Sequence, residues 1–172
     1  MLFGDGYFVS AELWLVTKNL NSQIEFKLAR SEGQLGYYDT LTPLYAHFHD
    51  DDKTFSLIWT EYSHDFSDFY GRYLENQRLY GDRHGVLGRP ELPPPNAYTV
   101  SCMPWVKFEH FAVHSYENNP YYFPSVEAGK IFSEGEKQLL PLSLTCHHAA
   151  ADGYHISRFL EELQNDLDSF NG

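Results

Sequence analysis

Hydrophobic residues recur with helical spacing in three segments, 8–19, 65–80 and 156–167. In the second segment Phe66, Phe69, Tyr70, Tyr73 and Leu74 fall at i, i+3, i+4, i+7 and i+8. This spacing predicts an amphipathic helix with one buried face. The last segment has the same stripe, so we expect the chain to end in a helix that packs its apolar side against the rest of the protein.

Short strand-like runs, separated by turn residues, fill most of the remaining chain: 25–30, 34–38, 44–49, 54–62, 98–103, 107–113, 125–132 and 138–147. Three of the turns, at 31–33, 50–53 and 133–136, are short enough for hairpins, whereas 81–96 is rich in proline and glycine and predicts an irregular loop. The order of elements predicts an α/β fold, a two-layer sandwich with a mixed, mostly antiparallel sheet and helices packed on a face. A chain of 172 residues fits a single domain over 1–172.

The composition and net charge limit the classes of molecule that the protein is expected to bind. The formal net charge is −12, from 24 acidic and 12 basic residues. A nucleic acid or an anionic membrane surface is therefore not expected as a partner, because phosphate binding needs lysine and arginine. The 13 Tyr, 13 Phe and 3 Trp supply material for a core, and they would also suit a pocket for an aromatic ligand.

The two cysteines, Cys102 and Cys146, are too few for a disulfide-stapled secreted domain. The N-terminus has no basic region before an apolar stretch, and no apolar run approaches the roughly 18 residues that a membrane span needs. We therefore expect a cytoplasmic protein without a membrane span.

The segment 146–155, Cys-His-His-Ala-Ala-Ala-Asp-Gly-Tyr-His, contains the densest group of reactive side chains. It lies between a predicted strand and the last helix. Three interpretations are open: a loop with incidental histidines, a metal site, and a general base. The spacing lacks a Glu or Cys that completes a common zinc motif, so we expect no metal. A neutral imidazole can remove a hydroxyl proton near neutral pH if a neighbour fixes its tautomer.

The pattern His-His-x-x-x-Asp-Gly-Tyr-His resembles the active-site signature of the chloramphenicol acetyltransferases, and its shorter core recurs in other coenzyme A-dependent acyltransferases. Five further segments resemble the same family: Asp52–Ser56, Ile58–Ser63, Phe66–Tyr70, Ser101–Val106 and Leu139–Ser143. The resemblance extends over essentially the whole chain. It implies the coenzyme A-dependent acyltransferase fold, acetyl-coenzyme A as co-substrate, a small-molecule acceptor and a homotrimer with active sites between subunits.

The resemblance also implies roles for single residues. It gives His148 as the general base, Ser101 as the hydrogen-bond donor to the oxyanion, and Asp152 as a residue that holds the loop through an ion pair. Three residues match the wall of the acceptor pocket, Phe48, Phe55 and Val113. Lys130 matches a lysine near the coenzyme. From the residues alone, each would be an ordinary strand, core, cap or surface position.

Two departures from the family pattern bear on activity. Family members have a further N-terminal segment, which supplies a helix, a strand and the arginine that pairs with the aspartate of the signature. Without it we expect a bared sheet edge, an unpartnered Asp152 and a poor enzyme. In addition, Glu127 stands where the family has a threonine that holds a water near the reacting centre.

The function implied is acetyl transfer from acetyl-coenzyme A to a hydroxyl of chloramphenicol or a similar acceptor. The alternative is a truncated, catalytically weak or inactive remnant that keeps the trimer scaffold. A third possibility is an acyltransferase with an unrelated acceptor.

Overall fold

The computed structural model describes residues 6–112 and 121–170. Within them three α-helices form: α1 (Gly6–Asn21), α2 (Phe66–Tyr80) and α3 (Gly153–Ser169). The strands are β1 (Leu28–Ser31), β2 (Gln34–Tyr37), β3 (Thr42–Phe48), β4 (Phe55–Trp59), β5 (Ala97–Cys102), β6 (Ser125–Ala128), β7 (Phe132–Glu134), β8 (Lys137–Leu139) and β9 (Leu142–Thr145). A 3-10 turn at Ile24–Lys27 leads into β1.

Five of these strands form the main sheet, in the order β4-β3-β5-β6-β9. The two outer pairs, β3 with β4 and β6 with β9, are antiparallel, and the two inner pairs are parallel. Strands β1 and β2, and β7 and β8, form separate antiparallel hairpins. The predicted α/β fold with a mixed sheet is confirmed. The antiparallel majority comes from the hairpins, since the main sheet itself is evenly mixed.

The ends of α2 and α3 follow from the local sequence. The Asp65 carboxylate accepts the backbone N–H of Asp68 at 2.9 Å and so caps α2. Asp152 caps α3 in the same way. In the described part of the chain, no helix is long and apolar enough to cross a membrane.

Helices cover one face of the main sheet. Successive side chains of a strand alternate between faces, and on β5 Tyr98 and Val100 join the core under the helices while Thr99 and Ser101 do not. The helices contribute the rest of this core, chiefly Leu13, Leu15, Val16 and Leu20 from α1, Phe69 and Tyr73 from α2, and Phe159 and Leu163 from α3. No helix formed by residues 6–112 and 121–170 packs on the opposite face, which is called the open face below.

Polar contacts fix α1 between the sheet and α3. The Thr17 hydroxyl donates to the Leu13 carbonyl at 2.6 Å, so at 2.7 Å the buried Tyr98 hydroxyl must donate to Thr17. At the outer side of α1, Lys18 and Asn19 both donate to the Asp166 carboxylate at 2.8 Å. These hydrogen bonds hold α1 on both sides and fix its rotation about its own axis, relative to the sheet and to α3.

Three local predictions were wrong. Residues 107–112 form no strand; residue 113, the end of that predicted strand, lies outside the described residues. The predicted strands 125–132 and 138–147 each divide into two, because the chain leaves the main sheet to form the β7–β8 hairpin. The apolar stripe of α3 is buried at Phe159 and Leu163, but Leu160 and Leu167 are 45% and 41% exposed.

The Glu12 carboxyl lies on α1, within electrostatic range of Tyr98 and Cys102. Burial raises the pKa of Glu12 to about 7. The unfolded chain releases this proton near pH ~4.3, while the folded protein keeps it to about pH 7. The free energy of unfolding should therefore fall as the pH rises through this window, by up to about 3 kcal/mol at ~1.4 kcal/mol per pKa unit.

The test is urea unfolding at several pH values for the wild type, Glu12→Gln and the exposed control Glu161→Gln. Glu12→Gln should be the more stable protein relative to wild type at high pH, and this advantage should shrink on acidification. The control should follow the wild type. Parallel pH profiles for wild type and Glu12→Gln would show that burial of Glu12 does not couple to folding.

Candidate active site

A row of polar side chains crosses the open face of the sheet. Ser101 on β5 is the register partner of Glu127 on β6, and Glu127 is the partner of Ser143 on β9. Register partners share a face, so these three side chains lie side by side. Val126, one residue from Glu127, belongs instead to the core under the helices. The predicted site residue Ser101 is thus exposed on the open face, beside a carboxyl group.

Glu127 is the buried acid of this row, with 1% of its surface exposed. The Ser125 hydroxyl donates to its Oε1 at 2.5 Å, whereas Oε2 has no hydrogen-bond partner among the described residues. Burial raises the pKa of Glu127, and the bond from Ser125 offsets part of this effect. The site therefore favours the neutral acid more than a solvated glutamate position would.

His148 lies in a tight turn that follows β9. The carbonyl of His147 accepts the N–H groups of Ala150 and Ala151 at 2.8 and 3.1 Å, which closes the turn. Ala151 is buried and anchors it. His148 is exposed, and no hydrogen bond of its ring is found within residues 6–112 and 121–170. The backbone is fixed while the imidazole stays available to a partner.

His147, the first histidine of the pair, is committed to local contacts. Its Nδ1 accepts the N–H of Ala149 at 3.2 Å, and its ring lies 4.7 Å from that of Tyr122. Because Nδ1 accepts, the neutral ring carries its proton on Nε2. His147 is therefore occupied by local contacts, in contrast to the exposed His148.

Asp152 holds the beginning of α3 and finds its partner in His155. Its Oδ1 accepts the N–H of Tyr154 at 3.0 Å and lies 2.8 Å from His155 Nδ1. The other ring nitrogen of His155 is 3.5 Å from the Glu25 carboxylate. Desolvation acts to raise the pKa of Asp152, but these hydrogen bonds outweigh it and lower the pKa. The expectation of an unpartnered Asp152 was therefore wrong.

Ser101 and His148 are far apart within one chain. Two strand spacings of about 4.8 Å separate β5 from β9, and β9 runs away from the Ser101–Glu127–Ser143 row toward its turn at about 3.3 Å per residue. The separation of their Cα atoms is therefore roughly 15 Å. This exceeds the combined reach of a serine and a histidine side chain, so the two groups do not contact each other within one protomer.

Aromatic side chains gather at the end of the β3–β4 hairpin. Phe48 and Phe55 are register partners, and the Phe55 side chain is 57% exposed. The ring of Trp105 lies 4.9 Å from that of Phe48, nearly edge-on. Trp105 was not among the predicted site residues, although it lies in Ser101–Val106, one of the segments that resemble the family. Val113, the third predicted wall residue, lies outside the described residues.

Lys130 follows β6 at the same side of the sheet and is exposed. Its N–H donates to the Val106 carbonyl at 2.8 Å. The neighbouring Gly129 permits this contact, because a Cβ there would lie 2.8 Å from the Phe108 ring. Lys130 forms no salt bridge within the described ranges, which leaves its ammonium group available to an anion.

Comparisons with known proteins give one family. Residues 5–164 match the family described as Chloramphenicol acetyltransferase. A chloramphenicol acetyltransferase of Clostridium perfringens is 42% identical over 153 residues, which are 88% of this chain and 69% of the relative. One of Campylobacter coli is 40% identical over 156 residues, with 90% of this chain and 75% of the relative covered.

Solved structures agree at the level of the fold. A chloramphenicol acetyltransferase structure superposes with a TM-score of 0.78 at 21% identity, covering 92% of this chain and 76% of that chain. The cubic core of the pyruvate dehydrogenase multienzyme complex gives a TM-score of 0.60 at 16% identity, with 94% and 68% covered. By its sequence match and its fold, the chain belongs to the chloramphenicol acetyltransferase family.

Proposed function

We propose that the protein transfers an acetyl group from acetyl-coenzyme A to a hydroxyl of chloramphenicol or a similar acceptor. The family membership carries this proposal, since the relatives bear the name of that activity at up to 42% identity. The fixed turn that presents the exposed His148 supports the proposed chemistry, because it offers an imidazole whose backbone is ordered.

The proposed reaction is a single acyl transfer with His148 as general base. The imidazole takes the proton of the acceptor hydroxyl, and the oxygen attacks the thioester carbonyl carbon. A tetrahedral intermediate forms, its carbon–sulfur bond breaks, and the coenzyme A thiolate receives the proton from the imidazolium. The products are the acetyl ester and free coenzyme A. Asp152 supports the base indirectly, because it caps α3 directly after the turn.

Ser101 is proposed to donate a hydrogen bond to the oxyanion of the intermediate. The exposed position of its side chain on the open face supports this role. Glu127 beside it changes the electrostatics of the step. As a neutral acid it can donate a hydrogen bond to developing negative charge, whereas as a carboxylate it repels that charge.

The active site is proposed to form between subunits of a homotrimer. The roughly 15 Å between Ser101 and His148 in one protomer supports this assembly, because it exceeds the combined reach of the two side chains. The open face also carries apolar surface that a partner would cover: Phe55 is 57% exposed, and Trp105 and Val106 are each 50% exposed.

The two substrates would occupy neighbouring parts of this interface. Phe48, Phe55 and Trp105 supply an aromatic wall for a ring-bearing acceptor. Lys130 supplies a cation for the phosphates of the coenzyme, against the overall charge of −12. Val113 remains a predicted wall residue.

The remnant interpretation is not favoured. Ser101, His148 and Asp152 are all present, and Asp152 has its own partner in His155. The single domain over 1–172 and a cytoplasmic location are retained as parts of the proposal.

One prediction from this mechanism concerns the proposed general base, His148. His148→Ala should lower the turnover number for chloramphenicol by ~10²–10⁴-fold, because no other group then accepts the hydroxyl proton. His147→Ala is the matched control: it removes a packed ring, so its main effect should be a lower melting temperature. Turnover retained equally by both variants at saturating acetyl-coenzyme A would remove His148 from the mechanism.

Another prediction from this mechanism concerns the charge of Glu127. As the pH rises and its carboxyl ionises, the repulsion of the oxyanion should lower the turnover of the wild type. Glu127→Gln keeps the shape and stays neutral, so its turnover should be several-fold higher than that of the wild type at about pH 8 and should not fall toward alkaline pH. The control Glu136→Gln, at an exposed position in the β7–β8 turn, should follow the wild type. An identical pH profile of Glu127→Gln and wild type would separate Glu127 from the reaction.

A further inference from the structure

A second group of reactive side chains lies on the other side of the sheet, between the β3–β4 turn and the loop after α2. His49, Asp51 and His84 each offer a ligand atom, and these three atoms lie within 4.8 Å of one another. His49 directly follows β3 and continues the alternation of Tyr45, which belongs to the core under the helices. The group is thus separated by the sheet from the Ser101–Glu127–Ser143 row.

Two of the three ligand atoms already have the spacing that one small cation requires, whereas the rings of His49 and His84 are stacked at 4.1 Å with 19° between their planes, so the exposed His84 ring must turn for both imidazoles to bind the same ion. His84 Nε2 lies 3.4 Å from the Asp51 carboxylate. Two ligands bonded to zinc at ~2.0–2.1 Å in a tetrahedron are about 3.3 Å apart, so this pair already has the spacing of two zinc ligands. The third ligand must approach by about 1 Å or more, which the exposed side chains of Asp51 and His84 can accommodate.

Each histidine has one ring nitrogen fixed by a hydrogen-bonding neighbour. His84 Nδ1 lies 2.8 Å from the Asp52 carboxylate, which leaves Nε2 facing Asp51. Asp52 is itself held by the N–H and hydroxyl of Thr54 at 3.0 and 2.7 Å. In the buried His49, Nε2 lies 3.0 Å from the Ser56 hydroxyl. Such outer partners orient metal-binding imidazoles and fix their tautomers.

The backbone brings these distant residues together in a defined way. The N–H of Leu57 on β4 donates to Val86, and the N–H of Gly88 donates to Leu57, both at 2.9 Å. This short parallel pairing pins the loop that carries His84 to the edge of the sheet. Gly85, at φ +110°, gives the loop a backbone conformation that other residues rarely adopt.

The surroundings attract a cation. A polar recess of about 390 Å³ lies here, and Asp50, Asp51, Asp52 and Asp82 all line or adjoin it. Lys53 pairs with Asp50 and so leaves the other three carboxylates to set the local potential. Two imidazoles with one carboxylate form a donor set typical of zinc and neighbouring divalent transition metals, rather than of magnesium or calcium.

We propose that His49, Asp51 and His84 form a binding site for a divalent transition metal ion of the zinc class, which ties the β3–β4 turn to the loop after α2. This departs from the expectation of no metal, which rested on the histidines near the C-terminal helix. The site has three protein ligands and leaves a coordination position for water.

The test is calorimetric titration of the chelator-treated protein with zinc chloride, with cobalt(II) absorption as the check on coordination. The wild type should bind one zinc ion per chain at this site, and its melting temperature should rise with zinc. His84→Asn and Asp51→Asn should each weaken binding at least ~10-fold and remove most of the thermal shift. Both positions are exposed, so the variants should fold, and far-UV circular dichroism of the zinc-free proteins checks this.

Two control variants separate this site from others. His64→Asn removes an exposed histidine outside the group and should bind zinc like the wild type. His148→Ala, which removes the proposed base, should also retain zinc binding, so loss of acetyl transfer and loss of metal binding are independent results. Unchanged zinc affinity in His84→Asn and Asp51→Asn, or zinc binding that disappears with His148→Ala, would overturn the proposal.

Discussion

The pairing of β6 with two different neighbours determines where chemistry can take place in this chain. Its parallel partner β5 brings Ser101 beside Glu127, while its antiparallel partner β9 carries the chain away from Ser101 before the turn that presents His148. Because strand spacing and rise are fixed by backbone geometry, no side-chain rotation can close the resulting gap of roughly 15 Å. The proposed oxyanion donor, Ser101, and the proposed base, His148, therefore do not meet within one protomer, and in the proposed trimer a second copy supplies the missing half.

The alternation of side chains between the two faces of each strand explains why the open face is polar at its centre and apolar at its end. The helices bury every second residue of β5, β6 and β9, and the remaining positions carry Ser101, Glu127 and Ser143. A buried carboxyl with an unpaired oxygen is costly to ionise, so its surroundings hold Glu127 toward the neutral form. A partner that covers the face would exclude water from the exposed Ser101 and so strengthen the effect of Glu127 on a neighbouring oxyanion.

Local patterns predicted much of the fold, and long-range contacts account for what they missed. The helical stripes and hairpin turns are short-range signals, so α1, α2, α3 and the β3–β4 hairpin were found within a few residues. The breaks in 125–132 and 138–147 were missed because strand-like residues continue where the chain leaves the main sheet. The Asp152–His155 pair has the spacing of a capping box and could have been predicted from the sequence, but the only partner considered for Asp152 was the arginine of the family's N-terminal segment. The approach of His84 to His49 depends on how α2 returns along the sheet, which no local pattern encodes.

The most direct test of a shared active site is activity complementation between two inactive variants. Ser101→Ala keeps the proposed base and His148→Ala keeps the proposed oxyanion donor, and equal co-expression of the two gives mixed trimers if the protein assembles as proposed. If each site takes His148 from one protomer and Ser101 from its neighbour, about a quarter of the sites regain both groups, so acetyl transfer should recover to about a quarter of the wild-type rate. Activity no greater than the sum of the two separate variants, in preparations shown to contain mixed trimers, would contradict the account.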